Sequence, residues 1–166
     1  MDEAQFRDLY QDSFDRLVGQ LGTMTGSFTE AQDCVQEAFV RAWDHHRRLR
    51  STPQAEAWVR TTAYRLFVSR WRRGKLASRA SDRSVAPNPP REPGPERIAV
   101  VQALQKLPVD QRQALVLYHL ADLSVAEIAT EIRVPVGTVK ARLSRGRAAL
   151  AVHLADTTTP EEIQHA

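Results

Sequence analysis

The sequence predicts an all-α protein of two small helical domains, a three-helix N-terminal bundle and a four-helix C-terminal domain with a helix-turn-helix, joined by a Pro-rich linker. Three observations carry this prediction. Apolar residues recur at helical spacing in both halves, and no strand-like alternation lasts more than a few residues. Five of the nine prolines fall within residues 84–95, a stretch that can neither sustain a helix nor bury a core. The chain has 166 residues, 42% hydrophobic and 26% charged, enough for one ordinary domain or two small ones. Two bodies this small favour bundles of local contacts. The expected boundaries are 1–79, a flexible tether over 80–95, 96–155, and a polar tail over 156–166.

The elements follow in order. Phe6, Leu9, Tyr10, Leu17, Val18 and Leu21 mark a first amphipathic helix, ended by Gly22 to Gly26. Ser27 and Glu30 have capping-box spacing and open a second helix to about Arg48, with Ala31, Val35, Ala38, Phe39 and Ala42 as its buried stripe. Thr52-Pro53 supplies an N-cap and first-turn proline for a third helix through about Arg73. Beyond the tether, helices are expected from Glu96 to Leu107 and from about Val109 to Leu120, broken at Pro108.

Ser124 and Glu127 form another capping box, opening a short helix that buries Ile128, Ala129 and Ile132. Arg133-Val134-Pro135 interrupts it, and a new helix begins near Val136. Two short helices joined by a tight turn are a helix-turn-helix, whose second helix enters the major groove. On that helix Val139, Leu143, Gly146 and Leu150 share the core side, while Gly137, Ala141, Ser144, Arg145 and Ala148 lie opposite, flanked by Lys140. Small residues allow close approach, and cations match phosphates and base edges. From Arg133 to Arg147 there are five bases and no acid, whereas a solvated structural helix mixes both signs.

Charge is segregated elsewhere too. Residues 1–44 sum to −6 and residues 45–83 to +9, within a net charge of only +3. Two surfaces of opposite sign suit two partners, the basic one a polyanion. Other chemistry finds little support. A single cysteine, Cys34, excludes an intrachain disulfide and suits packing better than redox sensing. The five histidines lack metal-ligand spacing, so neither metal nor cofactor is expected. No P-loop, dinucleotide turn or nucleophile elbow is present, which argues against an enzyme. The longest apolar run, Ala114 to Tyr118, is far short of a membrane span, and the acidic start argues against a signal peptide, so a cytoplasmic protein is expected.

Three segments together resemble one family: Leu107-Pro108-Val109-Asp110-Gln111-Arg112, Leu123-Ser124-Val125-Ala126-Glu127-Ile128-Ala129, and Pro135-Val136-Gly137-Thr138-Val139-Lys140-Ala141-Arg142-Leu143. They are similar to the promoter-reading domain of bacterial RNA polymerase sigma factors of the extracytoplasmic-function (ECF) group. Ala31 to Trp43, Trp58-Val59-Arg60 and Trp71-Arg72-Arg73 are similar to that family's other domain, in the expected order.

The resemblance implies a chain that binds core polymerase and directs promoter-specific initiation in response to a stress or signal. It places the clamp of the largest polymerase subunit against Asp33, Gln36, Glu37, Val40 and Arg41, so truncating Gln36 or Glu37 should weaken core binding without touching folding. It assigns the melted minus-ten element to Arg50, Ser51, Arg60, Thr61, Tyr64, Arg65, Arg72 and Arg73, with the loop Leu49–Gln54 in the position that captures a flipped base. Arginines interleaved with aromatic rings suit single strands, where bases stack and guanidinium groups meet phosphates. Minus-35 readout falls to Gly137, Thr138, Lys140, Ala141, Arg142, Ser144 and Arg145, and an anti-sigma protein is a candidate partner.

Three departures stand out: Arg65 where many relatives carry Asn, Ser69 in place of a common acid, and Arg133 in the turn where Gly is usual. If that turn needs a positive φ, Arg133 is strained there. Two other readings remain from sequence alone. One is a self-sufficient helix-turn-helix regulator with an N-terminal dimerisation or interaction domain. The other is a sigma-like decoy that binds polymerase without melting DNA.

Overall fold

A computed structural model describes residues 1–76 and 94–157. The chain divides into two compact units between Arg91 and Glu92. Among the described residues the secondary structure is seven α-helices and one 3-10 turn, with no strand.

The first unit holds α1 (Glu3–Thr25), α2 (Phe28–His45) and α3 (Thr52–Leu76), with the 3-10 turn His46–Arg48 after α2. A capping box that the sequence reading passed over opens α1: Asp2 accepts from the Gln5 amide and Gln5 reaches back to the Asp2 amide. The helix runs through Gly22 and stops at Gly26, whose φ of 81° and ψ of 0° form the left-handed cap. Gly22 serves packing instead. A Cβ there would sit 2.2 Å from the Phe28 ring at the start of α2.

At α2 one arm of the expected capping box forms, with Ser27 Oγ accepting from the Glu30 amide, and the helix ends at His45, three residues before Arg48. At α3 the cap is Ser51, not Thr52: its Oγ accepts from the Gln54 amide while Gln54 Oε1 accepts from the Arg50 amide. The expected stripe of Ala31, Val35, Ala38, Phe39 and Ala42 is buried, and it meets Leu9, Leu17 and Leu21 of α1 and Ala55, Val59 and Leu66 of α3. Alanines on the stripe let neighbouring helices approach closely without leaving voids.

The second unit holds α4 (Pro95–Gln105), α5 (Val109–His119), α6 (Val125–Ile132) and α7 (Val136–Thr157). Gly94 and Pro95, read as the end of the tether, instead cap and begin α4. The remaining tether residues, 80–93, and most of the expected tail lie outside the described residues. The core gathers Val101, Leu104, Leu107, Leu115, Val116, Leu117, Ile128, Val139 and Leu143.

Candidate functional site

The two short helices of the second unit meet as their caps dictate. Ser124 and Glu127 complete the capping box in both directions, fixing the start of α6. Its end is a left-handed turn at Arg133, with φ 58° and ψ 51°, so the position does require what Gly tolerates best. The Arg133 and Val134 amides both return to the Ala129 carbonyl, and the Pro135 carbonyl accepts from Thr138 and Val139 to start α7.

Along α7 the expected inner side is buried at Val139, Leu143 and Gly146, while Leu150 is half-buried. Gly146 is held by close approach: a Cβ would lie 3.1 Å from Leu115 Cδ1 of α5. Gly137, Lys140, Ser144 and Arg145 are exposed, and Thr138 and Ala141 are half-buried. Arg142 differs. Its side chain is 22% exposed and its guanidinium lies 3.6 Å from the Asp110 carboxylate of α5, so it turns along the domain and not outward with Arg145. Arg147, which the sequence reading left unassigned, stands over the Tyr118 ring at 5.1 Å, a cation–π contact.

In the first unit the acidic face of α2 comes out as read, with one addition. Gln36, Val40 and Arg41 are exposed, Val40 at 63%, and Asp33 and Glu37 are half-buried. The Glu37 carboxylate is shared by Arg41, one turn on at 2.6 Å, and by Arg70 of α3. Arg70 belongs to the basic block, but nothing in its sequence spacing announced a partner on α2. It also donates to the Cys34 sulfur at 3.6 Å. Burial pushes the Cys34 thiol up to about 11, partly countered by Arg70.

The expected minus-ten set splits. Thr61, Tyr64, Arg65 and Arg72 share one face of α3 at helical spacing, with Arg65 and Arg72 exposed and the other two half-buried. Arg73 is exposed and donates to Ser69 through its carbonyl and hydroxyl oxygens, at 3.4 and 3.2 Å. Arg50 and Ser51 are exposed at the start of the helix. Arg60 departs from the expectation: it is 9% exposed, pairs with Glu56 at 3.6 Å and approaches Gln20 Oε1 at 3.5 Å. Glu56 in turn pairs with Arg16 at 2.9 Å, so these residues tie α3 to α1. Its angular position, between the buried stripe and the outer face, is why Arg60 turns inward.

Groups of three or more acidic, histidine or cysteine side chains able to hold a metal are absent among the described residues. No helix among them is long and apolar enough to cross a membrane.

Comparison with known proteins follows the same division. Residues 9–76 match the family model for sigma-70 region 2, and residues 97–150 match that for sigma-70 region 4. The ECF RNA polymerase sigma factor SigW of Bacillus subtilis is 30% identical over 92% of this chain and 89% of its own length. SigL of Mycobacterium tuberculosis is 30% identical over 91% of this chain and 89% of its own. Among solved structures, the sigma factor RpoE of Bartonella quintana, crystallised with the anti-sigma factor NepR, superposes with a TM-score of 0.74 at 25% identity, covering 91% of this chain and 97% of that one.

Proposed function

Because the chain belongs to the ECF sigma factors, which bind core RNA polymerase and direct promoter-specific transcription initiation, we propose how its surfaces divide that work. The outward face of α2, Asp33, Gln36, Glu37, Val40 and Arg41, docks on the clamp region of the largest polymerase subunit. Val40, an exposed apolar residue among polar ones, is its anchor.

The outer face of α3, Tyr64, Arg65, Arg72 and Arg73 with Thr61, and Arg50 and Ser51 at its start, carries the opened minus-ten strand. Arg60 acts indirectly by holding α3 on α1. The exposed residues of α7, Gly137, Lys140, Ser144 and Arg145 with Thr138 and Ala141, read the minus-35 duplex. The observation that carries this last reading is the clean division of α7 into an apolar inner side and a small, cationic outer one.

An anti-sigma protein is the proposed regulator, supported by the complex in which RpoE was solved. Function in the cytoplasm, where polymerase acts, belongs to the same proposal.

The test is reconstitution. The purified chain, mixed with core polymerase and a cognate promoter, should direct transcripts from one defined start site. A chain that binds duplex DNA as a symmetric dimer but never core enzyme would instead be a self-sufficient regulator. Permanganate reactivity of promoter thymines separates melting from mere docking and so excludes or establishes the decoy.

A further inference from the structure

Arg70 of α3 reaches across to α2 and is held at both prongs of its guanidinium. Its Nη2 pairs with Glu37 Oε2, and its Nη1 donates to the Cys34 sulfur at 3.6 Å. Cys34 is fully buried, and burial keeps its thiol protonated at neutral pH. The charge of Arg70 is therefore met by the Glu37 carboxylate and not by a thiolate.

The other oxygen of that carboxylate, Oε1, accepts from Arg41 at 2.6 Å. One acid thus has both oxygens taken, by a cation of the neighbouring helix and by a cation of its own. Left to itself, a glutamate or an arginine on an open helix face samples many rotamers, and ordering them costs free energy. With Arg70 in place, Glu37 cannot turn without losing a pair, and Arg41, 53% exposed, is steered with it.

Resting on the reading of the α2 face as the polymerase contact, we propose that Arg70 is a positioning residue for core binding. It presets Glu37, and through Glu37 Arg41, in the arrangement that the polymerase meets, without touching the polymerase itself. Such preorganisation raises affinity by removing an ordering cost, not by adding a contact. Arginine suits the task because its planar fork reaches sulfur and carboxylate together, whereas a lysine ammonium is a single point charge.

The experiment titrates the full-length chain against core polymerase at a temperature where circular dichroism shows every variant folded. Arg70→Gln removes the charge and keeps part of the stem. It should weaken core binding about 3- to 10-fold, the scale of one or two side chains that must then be ordered on docking. Arg70→Lys should recover part of that loss. In a Glu37→Ala background Arg70→Gln should cost nothing further, because no carboxylate remains to be held. Glu56→Ala, which breaks the α1–α3 pairs away from this face, is the control: it should lower the melting temperature and leave core binding unmoved.

An Arg70→Gln chain that binds core as the parent does overturns the proposal. So does a loss that persists in the Glu37→Ala background, which would put Arg70 in direct contact with polymerase. A matching loss in Glu56→Ala overturns it too, by reducing the effect to stability. If Gln36→Ala and Val40→Ala leave core binding unchanged, the α2 face is not the contact and this role falls with it; failure at Arg70 alone leaves that face standing.

Discussion

Arg142 and Asp110 form an ion pair between α7 and α5, 3.6 Å apart, on the helix whose Lys140 and Arg145 are exposed. The pair divides two arginines that the sequence alone treats alike. Asp110 is 66% exposed, so the pair contributes on the order of 0.2–1 kcal/mol. Arg142→Ala should therefore lower the melting temperature slightly and weaken all promoters evenly. Arg145→Ala should leave the melting temperature alone and cost about 1–3 kcal/mol of discrimination at one base pair. Unchanged transcription from the cognate promoter in the Arg145 variant would refute its role at the base edge.

Glu37 is expected to report on two things at once. Gln36→Ala and Val40→Ala should weaken core binding with folding intact, as measured by titration against core polymerase and by thermal melting. Glu37→Ala should weaken core binding and also lower stability, by about 0.5–1 kcal/mol, because it strands Arg70 and Arg41. The structure thus revises the expectation that folding would not notice. Equal melting curves for Glu37→Ala and the parent chain would show that the α2–α3 pairing adds nothing.

Gly22→Ala is a packing test. Alanine is the better helix former, yet its Cβ would lie within 2.7 Å of three atoms of the Phe28 ring, so the whole ring must move. Overpacking of this kind costs about 1–3 kcal/mol, more than the helix propensity returns. Urea denaturation should show a loss; a gain would mean the ring relocates freely.

Arg133 holds a left-handed turn with φ 58°. Arg133→Gly removes the Cβ clash but adds chain entropy to the unfolded state, so it should be neutral to mildly stabilising. Arg133→Val, β-branched, should fall below Gly by about 1–2 kcal/mol in chemical denaturation. A valine variant matching glycine would show that the turn opens without penalty.

Cys34 gives a pH dependence. Its thiol titrates near 11 when folded, above the ordinary value of 9.0, because burial disfavours the thiolate. Its contribution to stability is therefore complete below about pH 9 and is lost as the pH rises through 11. The loss is on the order of 2–3 kcal/mol, and Cys34→Ala should flatten the melting temperature across that window, although the smaller side chain lowers it throughout. Alkylation of Cys34 at neutral pH should be slow in the folded chain.

How much of this was legible depends on the range of the physics involved. The stripe Ala31, Val35, Ala38, Phe39 and Ala42 and the inner side of α7 were readable because helical period alone assigns faces. The caps at Ser27 and Ser124 were readable because their hydrogen bonds span three residues. The start of α3 was missed by one residue because Ser51 and Thr52 are chemically equivalent caps, and only the backbone path chooses between them. The burial of Arg60 was not legible because an arginine at the margin of a stripe turns outward or inward according to the partner it finds. Here Glu56 and Gln20 draw it in.

By itself, then, the sequence determined the class of fold, the family and the inner and outer sides of α2 and α7, since period, caps, charge blocks and motif order are all local or compositional. Tertiary structure decided which cations remain available: Arg60 is held by Glu56 one turn back on α3 and by Gln20 of α1, Arg142 by Asp110 of α5 and Arg70 by Glu37 of α2, while Arg65 and Arg145 are exposed. The contacts between helices, Arg60 to Gln20, Arg70 to Glu37 and Arg142 to Asp110, join residues about 30 to 40 positions apart, and no periodicity encodes a contact across that separation; only the packing of one helix on another brings it about.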